Sequence, residues 1–207
     1  MVRRRSLYLV AIGALCGLTA CRIGDILRSD AQERAFRERY VDRPFYTAMV
    51  LRPYPYQSGY LIDLSERFAE EEYATPHAPF TVPLGTPLTI TGLDRKFILA
   101  HVEGYSEPFR ILVVTSRGNL DEVAQELTPL LATEPPLPTV REEMRAFVAQ
   151  QQITRGMSQR EIYMSWGQPD KKLVLPSSAS VLEEWIYFDR RIHLYLENGY
   201  ITNWQQM

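Results

Sequence analysis

Residues 153–204 constrain the fold more than any other stretch, because they specify both ends of one helix and the turn of one hairpin. Ser158 and Glu161 have the spacing of a capping box, in which the hydroxyl accepts the amide of Glu161 and the carboxylate accepts the amide of Ser158. Met157 precedes the cap and Ile162 follows it at the spacing of a hydrophobic staple. These four residues predict a helix that begins after Ser158.

The end of that helix and the strands after it are also indicated. Gly167 can adopt the left-handed conformation that ends a helix, and Pro169 prevents its continuation. A polar, serine-rich stretch at 171–181 predicts a loop. Three segments rich in aromatic and β-branched residues then predict strands, at 184–189, 192–197 and 200–204. Between the last two, Asn198 and Gly199 predict a type I′ turn of two residues.

A two-residue turn fixes which residues face each other across the hairpin. The expected facing pairs are Glu197 with Tyr200, Tyr195 with Thr202, and His193 with Trp204. One side of the sheet would carry these six polar and aromatic side chains. The other side would carry the apolar residues Ile192, Leu194, Leu196 and Ile201 beneath the helices. The aromatic side is a candidate contact surface, which is either free or packed on the rest of the chain.

Several short motifs of this region occur in a characteristic order: Gly156-Met157-Ser158, Glu161, Gly167-x-Pro169, Trp185-x-Tyr187 and Asn198-Gly199. Together they resemble the SmpA/OmlA, or BamE-like, domain of outer-membrane lipoproteins, over residues 140–207. Trp166 stands where that family usually has Leu, and Ser158 where it usually has Thr. The resemblance implies two helices packed on a three-stranded antiparallel sheet. It also implies a non-enzymatic role beside the outer-membrane β-barrel assembly machinery.

Residues 1–20 have the features of a secretion signal, with Arg3-Arg4-Arg5 at the start and an apolar run at 7–15. The run is shorter than the about 20 residues of a membrane span. Leu18-Thr19-Ala20-Cys21 resembles the lipobox of bacterial lipoproteins, which implies that Cys21 becomes the first residue and carries a diacylglycerol and a fatty acid such as palmitate. Arg22, rather than Asp, is compatible with outer-membrane delivery. An ordinary signal with an incidental cysteine, or a short anchor helix, are the alternatives.

Cleavage before Cys21 would change the charge and the cysteine content. Residues 1–20 contain three arginines and no acidic residue, so the formal net charge would fall from −2 to −5. Cleavage would also remove Cys16, which leaves Cys21 without an intramolecular disulfide partner. No basic block occurs outside the first five residues, so we expect no binding to nucleic acid.

The segments between the signal and the C-terminal domain predict an α+β protein with two domains. Residues 21–43 are polar and predict a lipidated, partly helical tether, whose mixed charges favour a solvated helix over headgroup binding. Residues 44–133 predict a small β-barrel or sandwich, because short strands alternate with turn residues; the stretch 84–90 resembles bacterial SH3-like barrels. A helix at 119–131 ends this domain. Three prolines at 134–139 predict an extended linker, and 140–152 predict the first helix of the next domain.

Residue types that carry catalysis or bind metals are few and scattered. The histidines His77, His101 and His193 lie in separate segments, and the sequence contains no cysteine cluster, nucleophile elbow or phosphate-binding loop. Glu183 and Glu184 are adjacent, so in a strand their side chains point to opposite faces. We therefore expect no enzymatic activity, no metal and no cofactor. A hydrolase would require distant residues such as His101 to converge with a carboxylate.

The expected function is that of an outer-membrane-anchored lipoprotein that faces the periplasm and acts by protein–protein contact, as an accessory to envelope or outer-membrane protein assembly. The interface candidates are Tyr195, Tyr200 and Trp204 on the hairpin, followed by Tyr54 and Tyr56 in a proline-rich segment that predicts a stiff loop. The alternative is a lipoprotein that binds a cell-wall fragment or peptide in the β domain, in a cleft lined by Tyr54, Tyr56 and Tyr60.

Overall fold

A computed structural model describes residues 29–63, 80–94, 97–112, 120–176 and 180–207. Within these ranges the chain is α+β, with four helices and two open sheets. The helices are α1 (Asp30–Tyr40), α2 (Leu120–Leu127), α3 (Glu142–Ala149) and α4 (Gln159–Trp166). The strands are β1 (Pro44–Thr47), β2 (Tyr54–Tyr56), β3 (Gly59–Asp63), β4 (Pro87–Asp94), β5 (Phe97–Val102), β6 (Phe109–Leu112), β7 (Leu131–Ala132), β8 (Lys171–Leu175), β9 (Leu182–Tyr187), β10 (Ile192–Glu197) and β11 (Tyr200–Gln206).

The first sheet has seven strands in the order β2-β3-β6-β5-β4-β1-β7. Strands β3 and β6 are parallel, and the other neighbours are antiparallel. Alternation along the central strands places apolar residues on one face, where they form a buried core: Leu88, Ile90, Ile98, Ala100, Val102, Phe109 and Ile111. Helix α2 adds Leu120, Val123 and Leu127 to the same core.

Of the predicted barrel or sandwich in this half, the barrel is wrong, because the sheet ends in two strands that do not pair with each other. At one edge β2 contains Pro55, which has no amide to donate to a further strand. At the other edge β7 has two residues. Residues 54–56, predicted as a loop, are therefore a short edge strand, which is a position where a sheet tolerates proline.

Helix α1 lies within the predicted tether and belongs to the folded domain. Phe36 and Tyr40 are 4% and 7% exposed, and both pack in the first core. Ser29 and Gln32 form a capping box at its start. The predicted helix is present at 30–40 and most of its residues are exposed, but its thin apolar stripe is buried against the first sheet's core.

The second sheet has four strands in the order β11-β10-β9-β8, and α3 and α4 pack on one of its faces. The capping box of α4 is confirmed: Ser158 donates its amide to Glu161 Oε2 at 2.9 Å, and Ser158 Oγ accepts the amide of Glu161 at 3.4 Å. Met157 and Ile162 are fully buried in the second core. Residues 171–175, predicted as part of a loop, form β8, so the sheet has one strand more than expected. This strand was missed because its two lysines make the segment look like a polar loop, whereas main-chain pairing with β9 does not require apolar side chains.

The hairpin of β10 and β11 begins as predicted and then changes register. Asn198 and Gly199 have positive φ values of 50° and 82°, as a type I′ turn requires, and Glu197 faces Tyr200. A bulge follows, at which Tyr195 faces Asn203 instead of Thr202. The Thr202 hydroxyl donates to the Tyr195 carbonyl at 3.1 Å. Because the extra residue reverses the alternation, Trp204 faces Leu194 instead of the predicted His193.

The two halves pack directly on each other. Val50 donates its amide to the carbonyl of Tyr163 at 3.1 Å, and Tyr163 contacts both cores. A Cβ at Gly167 would lie 2.4 Å from the carbonyl oxygen of Val50, so only glycine permits this approach. The proline-rich linker contains a 3₁₀ turn, Leu137–Thr139, and Leu137 packs on the second core. The linker therefore contains a turn that packs on the second core, whereas the sequence predicts an extended spacer.

Candidate interaction surface

The face of the second sheet that lies away from α3 and α4, here called the outer face, consists of three rows of residues across the strands. The rows are Leu175, Leu182, Glu197 and Tyr200; Leu173, Glu184, Tyr195 and Asn203; and Lys171, Ile186, His193 and Gln205. Tyr200 is 51% exposed, and most of the other side chains are partly or largely exposed. None of these twelve residues belongs to either core cluster of the described chain.

Glu184 lies between two polar side chains of the outer face. Its Oε1 is 2.5 Å from Nδ1 of His193, and its carboxylate accepts a hydrogen bond from the Tyr195 hydroxyl. Desolvation, followed by the negative charge of Glu184, raises the pKa of Tyr195, so this hydroxyl stays protonated at neutral pH. The bond to Glu184 restrains the Tyr195 hydroxyl, and the partly exposed ring can serve as an apolar contact.

Two of the three hairpin residues proposed as interface candidates share this face. Tyr195 and Tyr200 lie on adjacent rows, as predicted. Trp204 does not, because the bulge places it in a row with Lys172, Trp185 and Leu194 on the helix side of the sheet. Trp204 is nevertheless 40% exposed, since it lies on the edge strand.

The outer face is not the part of the C-terminal half that packs on the N-terminal half. Among the described residues, the contacts between the halves include Tyr163 of α4, Gly167, residues 168–170 after it, and Asp189, none of which lies on the outer face. Of the two alternatives raised by the sequence, the described residues therefore favour a free outer face.

Arg52 is the main polar residue of the junction, and sequence reasoning missed it. Its Nη2 lies 3.1 Å from Asp170 and 2.8 Å from Asp189, and its Nη1 donates to the carbonyl of Gln168 at 2.7 Å. The guanidinium lies 5.2 Å from the centroid of the Tyr187 ring. From the sequence alone, an arginine next to a proline-rich loop is expected at the surface. Its burial is explained by its partners, which lie more than 100 positions later in the chain.

Tyr54 and Tyr56 lie on β2, on the face opposite to that of Tyr60, which pairs with Pro55. Burial, and then the charge of Asp170, raises the pKa of Tyr54 to about 12, which places this residue at the junction. Tyr56 packs on the ring of Phe97 at 5.6 Å.

The Tyr60 ring instead packs at 4.9 Å on Phe80 and at 5.2 Å on Phe109, against the first core. The three tyrosines therefore do not line one cleft.

Glu183 and Glu184 point to opposite faces, as predicted: Glu183 bonds Gln159 on the helix side, and Glu184 bonds His193 on the outer face. The pairing of Glu184 with His193 was missed, because it depends on the register of β9 and β10.

Among the described residues, no group of three or more His, Cys, Asp or Glu side chains could hold a metal ion. His77 and the predicted lipidation site Cys21 lie outside the described residues.

No helix in the described ranges has the length and apolar character needed to cross a membrane. Within the described residues, the protein is a mixed α+β fold, and its second sheet has an exposed face that carries aromatic side chains. Comparisons of the chain with protein-family models, with curated proteins and with solved structures found no match.

Proposed function

We propose that this protein is a lipid-anchored protein of the bacterial outer membrane that faces the periplasm and acts by binding another protein, as an accessory to envelope or outer-membrane protein assembly. The lipobox-like sequence ending at Cys21 supports the anchor. The BamE-like sequence pattern at 140–207 supports the class of partner. The exposed outer face supports the mode of action.

The outer face is the observation that carries this proposal. It combines the exposed ring of Tyr200, the partly exposed ring of Tyr195, and three partly exposed leucines at 173, 175 and 182. Tyrosines are enriched at protein interfaces because they combine a large apolar area with a polar tip. The face is part of a hydrogen-bonded sheet backed by a core, so a partner would not have to order it on binding.

The position of α1 adds a constraint on where the partner lies. The helix begins at Asp30, so eight residues, 22–29, separate it from the proposed lipid on Cys21. Eight residues can span at most about 29 Å. The folded domains would therefore stay close to the membrane surface, and the partner would be a membrane protein or another protein held at that surface.

Photo-crosslinking in the native envelope tests the contact. Benzoylphenylalanine at position 200 should form a discrete adduct with one envelope protein, and Tyr195→Ala should weaken this adduct. Position 147 on α3 is the matched control, because Phe147 is also an exposed aromatic residue, at 36%. If position 200 yields no adduct, or the same adducts as position 147, the outer face is not the binding surface.

Fatty-acid labelling tests the anchor separately. The wild-type chain should incorporate an alkynyl palmitate analogue and fractionate with the outer membrane, and Cys21→Ser should do neither. Mass spectrometry of the mature N-terminus should find modified Cys21. A cytosolic chain with an intact Met1 would exclude the proposed location.

A further inference from the structure

The edge strands of the two sheets differ in how they are protected against pairing with another chain. Strand β2 contains Pro55, β7 has two residues, and β8 begins with Lys171 and Lys172. Proline, short length and lysine are the usual features that prevent pairing at an edge. Strand β11 has seven residues, Tyr200–Gln206, without a charged residue or a proline. It is thus the edge with the least protection among the described strands.

Part of the β11 edge is already occupied by the chain itself. Ile201 donates its amide to the carbonyl of Met157 at 2.9 Å, and its own carbonyl accepts the amide of Gly156 at 2.8 Å. Ser158 and Tyr200 form an antiparallel bridge at the same place. The loop before α4 therefore pairs with the first residues of β11 as a short additional strand, and it leaves the edge after Ile201.

The remainder of the edge is open. Met207 donates its amide to the carbonyl of Arg191 at 2.8 Å, so the amides of Gln205 and Met207 point towards β10. Because main-chain groups alternate along a strand, those of Trp204 and Gln206 point away from the sheet. Neither residue has a main-chain partner on that side among the described residues. The bulge creates this arrangement, since it reverses the alternation after Ile201.

The side chains around the open edge indicate what could pair with it. Trp204 is 40% exposed and can cover an apolar side chain of an added strand. Arg155 is exposed, donates to Asn203 Oδ1 at 3.2 Å, and forms no ion pair with any described residue. An added strand would pass beside this guanidinium, so an acidic residue at that end of the strand would find a partner of opposite charge.

We propose that the open edge of β11, at Trp204 and Gln206, binds an extended segment of a partner protein by strand addition, with an acidic residue of the segment beside Arg155. This inference deepens the proposed function, since it also requires a protein partner, but it depends neither on the outer face nor on the lipid anchor. Main-chain bonds to the edge would provide affinity, and Trp204 and Arg155 would provide selectivity.

A second copy of the chain fits this edge less well. Strand β11 has no acidic residue that could meet Arg155 of another copy. The open part of the edge is short, with free main-chain groups at Trp204 and Gln206 among the described residues, whereas a stable dimer buries about 1,200–2,000 Å² in total. A short edge is sufficient for a peptide, which uses main-chain bonds and one or two side-chain contacts.

The test uses the full-length chain in detergent micelles and a blocked synthetic peptide, Glu-Thr-Val-Thr-Val-Thr-Glu, with a control in which lysines replace both glutamates. The glutamate peptide should slow hydrogen exchange in fragments that contain residues 202–207, and it should bind at least fivefold more tightly than the lysine peptide. Arg155→Glu should reverse this preference. Gln206→Pro removes an outward amide without breaking the ladder to β10, and it should weaken binding at least tenfold.

Tyr200→Ala separates this inference from the proposed function. It should leave peptide binding unchanged, whereas Gln206→Pro should leave the outer-face adduct unchanged. Three results would overturn strand addition at this edge: no protection of residues 202–207 at millimolar peptide, protection at β8 instead, or protection that increases with protein concentration without peptide. The last result would identify a second copy as the occupant.

Discussion

Replacing Arg52 by methionine should uncouple the two halves of the protein. Arg52 is 8% exposed and comes from the N-terminal half, and all its polar partners come from the C-terminal half: Asp170, Asp189 and the carbonyl of Gln168. Methionine keeps much of the apolar stem and removes the charge and all three bonds. The substitution therefore tests whether this cluster, in addition to the turn at 134–139, holds the halves together.

The size of the effect depends mainly on Asp170, whose side chain is 5% exposed. Removing one member of a buried ion pair costs about 3–5 kcal/mol, because the other charge stays buried. Asp170 retains the amide of Phe188 at 2.7 Å, which places the cost at the lower end of that range. Asp189 is 43% exposed and can be rehydrated, so it adds little. We expect Arg52→Met to lower the free energy of unfolding by about 3 kcal/mol.

Chemical denaturation followed by tryptophan fluorescence and far-ultraviolet circular dichroism measures this effect. The wild-type transitions should coincide, and those of Arg52→Met should separate, because Trp166, Trp185 and Trp204 all lie in the C-terminal half. Arg37→Met is the control, since Arg37 is exposed and pairs with Glu33 on one helix; it should cost about 0.5 kcal/mol or less. A loss below about 1 kcal/mol with coincident transitions would refute the assigned role of Arg52.

Three further predictions concern other buried contacts. Burial opposes ionisation of Glu161, but the bonds from Arg141 and Ser158 outweigh this effect and lower its pKa. Glu161→Gln should therefore lower the free energy of unfolding by about 2 kcal/mol at pH 7, and by progressively less as the pH falls from about 4.3 through the lowered pKa. An equal loss at all pH values would contradict this. Gly167→Ala should lower the free energy of unfolding, measured by urea denaturation, by about 3 kcal/mol, because φ at Gly167 is 77° and a Cβ there would meet the Val50 carbonyl. Gly104→Ala is the control: with φ 87° and no neighbour within 4 Å, it should lower the free energy by about 1 kcal/mol. Tyr54→Phe should remove a component near pH 12 from the ultraviolet titration of the tyrosines, and loss of a component near pH 10 instead would place Tyr54 in solvent.

Local signals predicted the elements whose determinants are close in sequence. The capping box of α4 depends on two residues three positions apart, Ser158 and Glu161, and the Asn198-Gly199 turn requires two adjacent residues with positive φ. Both were confirmed, because such geometries depend on short-range sterics and hydrogen bonds. The strand at 192–197 was predicted with the bounds that the structure has.

The candidate surface was predicted in part. Tyr195 and Tyr200 were placed correctly on one face, because the alternation of a strand fixes their side. The position of Trp204 was wrong, since a bulge inserts one residue and no residue type marks it in advance. The pairing of Glu184 with His193 was also out of reach, because the four residues between their strands do not fix the register.

The sequence by itself determined where α4 begins and ends and where the last hairpin turns, because each depends on residues within a few positions of one another. Only the tertiary structure decided that the first sheet stays open, that α1 packs in the core, and that Arg52 joins the two halves. These outcomes depend on contacts between residues far apart in sequence. Burial and pairing at such distances follow from how the whole chain packs, and no local pattern of residues encodes them.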